Sequence, residues 1–106
     1  MPDFKVDKVG QDVLKVVLAT LGQTAEIHTK AIACQTHQYV DAYAFLIAHW
    51  DEFEPDTRRV HQQEIQDSLA NILTGYAGVS EMAARQAVNA AFNVIVQAAG
   101  EFIRLL

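Results

Sequence analysis

Two prolines and five glycines are the only strong backbone punctuation in 106 residues, and Pro2 stands at the very start. A chain of many short strands needs turn residues roughly every 8–12 positions, so this one reads as a few long helices. Breaks fall at Gly22-Gln23-Thr24, at Glu54-Pro55-Asp56 and across Gly75-Tyr76-Ala77-Gly78-Val79-Ser80. They leave four segments, each with apolar residues at the helical period. The expected fold is all-α, a four-helix bundle-like single domain over residues 1–106.

The first helix is expected over residues 6–21, where Val6, Val9, Val13, Val16, Val17 and Thr20 recur at i, i+3, i+4, i+7 spacing. The second is expected to be the longest, from Thr24 as N-cap to Phe53, with Ile32, Tyr39, Tyr43, Leu46, Trp50 and Phe53 on one seam. Pro55 ends it, because the residue before a proline avoids the α region. Asp56 is then expected to cap a third helix reaching Thr74, with Ile65, Leu69, Ile72, Leu73 and Tyr76 apolar. Ser80 is expected to cap a fourth, reaching Leu105, with an inner stripe that includes Ala84, Val88, Ala91, Phe92 and Ile95.

These lengths imply rods of about 24, 45, 29 and 39 Å at 1.5 Å per residue. Short first and third helices do not cover long second and fourth ones, so the bundle is expected to be completed by oligomerisation. The alanine row of the fourth helix and its apolar end give Ala87, Ala91, Ile95, Phe102 and Leu106 as the expected oligomer interface.

Thirteen acids against eight bases give a net charge of −5, which argues against a chain that neutralises phosphates, so no nucleic-acid partner is expected. No basic stretch followed by an apolar run opens the chain, and no segment reads as a membrane span; a cytoplasmic protein is expected. One cysteine, Cys34, excludes a disulfide framework and fits a reducing compartment.

Chemistry is sparsely represented. Cys34, His37 and Asp41 share one helix face, but nothing supplies an oxyanion hole, and Cys34 reads as a small helix-contact residue. His28-Thr29-Lys30-Ala31 lacks the lysine and glycine placement of a phosphoacceptor histidine. His49-Trp50-Asp51-Glu52 and His61-Gln62-Gln63-Glu64 are both His-x-x-Glu, the reverse of the Glu-x-x-His order of di-iron bundles. A small-ligand or metal-binding bundle using His28, His49 and His61 is the alternative reading; the first expectation has no metal, no cofactor and no catalysis. That first expectation is a protein–protein interaction module, a small structural, regulatory or inhibitor subunit assembling as a homo-oligomer. Its partner surface is expected at Tyr39, Tyr43, Trp50, Asp51, Glu52, Phe53, Glu54 and Asp56, where aromatics adjoin an acidic turn suited to a basic protein.

Overall fold

A computed structural model describes residues 4–100. It is an all-α four-helix bundle: α1 (Val6–Leu21), α2 (Thr29–Ala48), α3 (Pro55–Thr74) and α4 (Glu81–Ala99). Short connections make successive helices antiparallel neighbours. α1 packs on α2, α2 on α3 and α3 on α4, and α1 closes the ring with its most extensive contact, along α4. The Cα radius of gyration is 13.4 Å, close to the roughly 13 Å of a closed domain of about this size.

The valine stripe of α1 places Val9, Val13 and Val17 in the core, with Leu21 below them. They face small residues of α4, where Ala84, Ala87 and Ala91 are fully buried, with Ile95 fully buried alongside them. The alanine row therefore serves a tight crossing inside the chain, since the absence of bulky side chains lets two helix backbones approach. Ser80 caps α4 as expected, its hydroxyl oxygen accepting from the Ala83 N–H at 3.1 Å.

The second helix, expected to be the longest, is shorter than its apolar pattern suggests. Gly22, at φ +73, ends α1, and residues 22–28 then form a 3-10 helix (Gly22–His28) before α2 begins at Thr29. Thr24 thus lies within the connection and does not open α2; its side chain is outside the described residues. At the other end α2 stops at Ala48, Trp50–Glu52 make a further 3-10 turn, and Phe53 and Glu54 are extended. Pro55 itself opens α3 at the first helical position, where its missing N–H costs nothing. The N-cap residue is Glu54, so Asp56 sits in the first turn and does not cap it. Gly100, at φ +66, follows α4 after Ala99; the expected extension to Leu105 lies outside the described residues.

The helices hold 16, 20, 20 and 19 residues, or about 24, 30, 30 and 29 Å. The mismatch that called for a second chain is gone, and the core is closed by the chain's own helices. Ala87, Ala91 and Ile95, expected at an oligomer interface, are enclosed in the core and offer no side-chain surface. Phe102 and Leu106 lie outside the described residues.

α2 and α3 are joined by a buried polar bridge. The Tyr39 and Tyr43 hydroxyls both donate to Oε1 of Gln66, the second at 3.0 Å. The two phenol rings meet edge to face, with centroids 5.1 Å apart, an arrangement worth about 1 kcal/mol beyond burial. Burial pushes both phenol pKa values above the ordinary 10.0, and the neighbouring Tyr43 adds to the rise at Tyr39. The folded chain keeps these protons where an unfolded chain releases them. Their contribution to stability is therefore complete below pH 10.0 and falls as pH climbs above it, by about 1 kcal/mol per pH unit for each phenol.

Urea titrations above and below that pH should show this loss, and a Tyr39→Phe/Tyr43→Phe double variant should flatten it. In the same assay at neutral pH, Ser80→Ala should cost about 1 kcal/mol through loss of the α4 cap.

Candidate functional site

The outer surface between α2 and α3 carries a cluster of rings in which exposed Phe45 adjoins half-buried His49, Phe53 and His61. Phe45 is 57% exposed, although it lies on a helix whose other large apolar residues face inward. Its ring stands 4.3 Å, centroid to centroid, from that of His49 and 6.5 Å from Phe53. Phe53 in turn lies 4.9 Å from His61 of α3. The extended backbone at Phe53 and Glu54 turns the Phe53 ring across the α2–α3 corner.

His61 also belongs to an open groove of about 390 Å³ that continues along the two helices, away from the corner. Gln35, Gln38 and Ala42 of α2 form one wall. Glu64, Ile65, Ser68 and Ile72 of α3 form the other, with Leu69 and the buried bridge residue Tyr39 at the floor. Ile72 is 37% exposed at its far end. Aromatic cluster and groove form a continuous strip because α2 positions 35, 38, 42, 45 and 49 share a helix side, as do α3 positions 61, 65, 68 and 72.

The corner is acidic, and its charges are unevenly compensated. Glu52 pairs with His49, and Asp56 with Arg59 at 2.5 Å. Arg58 serves the fold: its Nε donates to the Trp50 carbonyl at 2.7 Å and its guanidinium lies 4.6 Å from the Trp50 ring centroid. Asp51, Glu54 and, in the groove wall, Glu64 have no cationic partner among the described residues. Residues 31–80 hold seven of the thirteen acids but only two bases, Arg58 and Arg59, a balance of −5; the remaining six acids and six bases cancel. The chain's whole net charge thus resides on the stretch that builds this face.

Three aromatics expected at the partner surface are not available to it. Tyr39, Tyr43 and Trp50 are buried, the first two bonded to Gln66 and the third beneath Arg58. Their helical spacing marks the inward side of α2. Phe53 is half-buried, while Asp51, Glu52, Glu54 and Asp56 are exposed at the corner. Phe45 and Ile72 were not anticipated as surface residues, whereas Glu64 is exposed, as its place outside the apolar face of the third helix implies. Phe45 carried a signal, being a large apolar residue off the seam of its own helix.

His28 is not brought near His49 or His61. His28 stacks on Tyr76 with centroids 4.9 Å apart at the far end of the bundle, about 30 Å of helix from His49. Phe53 and Phe45 stand beside His61 and His49. No group of three or more His, Cys, Asp or Glu fit to hold a metal occurs among the described residues. Cys34 is exposed; its sulfur lies 3.9 Å from Gln38 Nε2, and His37 faces Asp41 at 3.3 Å, so the thiol and imidazole are not paired. No helix among the described residues is long and apolar enough to cross a membrane.

Comparison with known proteins brings no match to a family model, to a curated protein or to a solved structure.

Arg58→Met should loosen the corner, since it removes a hydrogen bond to a carbonyl and a cation–π contact together. We expect a loss of about 1–2 kcal/mol in urea denaturation, with a red-shifted Trp50 emission. Arg59→Met, which breaks an exposed pair, should cost less than about 0.5 kcal/mol.

Proposed function

We propose that this protein is a cytoplasmic, non-catalytic protein-interaction module whose partner docks on the α2–α3 face. The observation that carries the reading is Phe45, exposed on a half-buried ring cluster at the mouth of a groove although the bundle closes its core without it. Single exposed apolar residues such as Ile27 and Met82 are ordinary on protein surfaces. An aromatic cluster continuous with an apolar-floored groove and rimmed by charge is the anatomy of a binding surface. The exposed thiol of Cys34 suits a reducing compartment.

A photocrosslinking residue placed at position 45 tests the reading in the native host. We expect a discrete adduct from position 45, none from the more exposed position 82, and loss of the adduct in an Ile72→Lys background. Equal adducts from both positions, or none from position 45, overturn it. The adduct's mass separates a second copy from a different chain.

A further inference from the structure

Resting on that reading, we infer that the docking element is a basic amphipathic helix from another protein, laid along the α2–α3 groove with its apolar side on Phe45 and Ile72. Its shape is set by the strip. From Phe45 to the far end of the groove the strip follows two antiparallel helices for about 15–20 Å. A third helix of three to four turns packs into such a channel ridge into groove, presenting apolar residues at i, i+3 or i+4, and i+7. Leu69 at the floor and Ile65 in the wall are apolar, while Gln38 and Ser68 offer hydrogen bonds to the flanks of the incoming helix.

Its charge is set by what the face leaves uncompensated. Asp51 and Glu54 at the corner and Glu64 in the wall lack cations, and the two arginines nearby are engaged with Trp50 and Asp56. Lysine or arginine on the docking helix supplies the missing counter-charge. The same imbalance disfavours a second copy as the occupant: two identical faces would bring together stretches that each carry −5. Like charges placed opposite one another oppose association.

The probe is a synthetic amphipathic helix of about 14 residues, leucines on one side and lysines elsewhere, titrated into the full-length protein with amide shifts followed by nuclear magnetic resonance. A peptide with glutamate in place of every lysine is the control. We expect the lysine peptide to shift amides around Phe45, His61 and Ile72 and to weaken markedly with added salt, while the glutamate peptide does not bind. Asp51→Lys/Glu54→Lys should reduce its affinity at least about tenfold, and Phe45→Ser should remove the footprint with an unchanged melting temperature. A lysine-peptide footprint on α1 and α4, equal binding of the glutamate peptide, or affinity indifferent to the charge reversals overturns the inference. If the position-45 adduct forms with an acidic or uncharged protein while the lysine peptide fails, the docking face stands and the basic helix falls. Absence of both the adduct and peptide binding removes both.

Discussion

Two phenols and one amide hold the working half of this bundle together. Gln66 Oε1 accepts from Tyr39 and from Tyr43, so a single α3 side chain satisfies two buried donors one helical turn apart on α2. A buried hydroxyl without a partner costs on the order of 1–3 kcal/mol, so sliding α2 against α3 would strand at least one of them. The bridge therefore fixes the relative register of the two helices. Arg58 does the same for the corner, tying the start of α3 to the carbonyl and ring of Trp50. With spacing and corner both pinned, the groove outside them is a fixed feature of the folded chain, and under the proposed docking little ordering would remain to oppose binding.

The four-helix architecture was readable because three breaks and the helical period agree. The valines of α1, Ser80 as the α4 cap and the inward stripe of α4 follow from spacing alone. Helix ends were harder. Thr24 reads as the start of α2, but residues 22–28 form a 3-10 helix of their own before α2 begins at Thr29. Trp50 and Phe53 fall on the α2 seam by spacing, yet the chain has already left the helix at Ala48 and folds them around the corner. Extending α2 across both connections lengthened it by half, and that inflated rod was the reason for expecting a second chain.

Less of the candidate site was legible, for a related reason. The acidic corner is visible in composition, and Asp51, Glu52, Glu54 and Asp56 are exposed there. The aromatic stripe at Tyr39, Tyr43 and Trp50 was attractive for its regularity, but regularity at the helical period is the mark of a face turned to the core. Phe45 breaks that regularity and stands outside. The groove itself has no signature in one helix, since it exists only once α3 brings His61, Ile65 and Ile72 alongside α2.

The uneven placement of charge has a consequence for motion as well as for contact. With all of the surplus negative charge on residues 31–80 and the rest of the chain neutral, the molecule is an electric lever with one weighted arm. A cationic body approaching from any side exerts a torque that turns the α2–α3 face toward it within a screening length. Under the proposed docking, orientation would begin before collision, and the search for a pose would start from a narrowed set of angles.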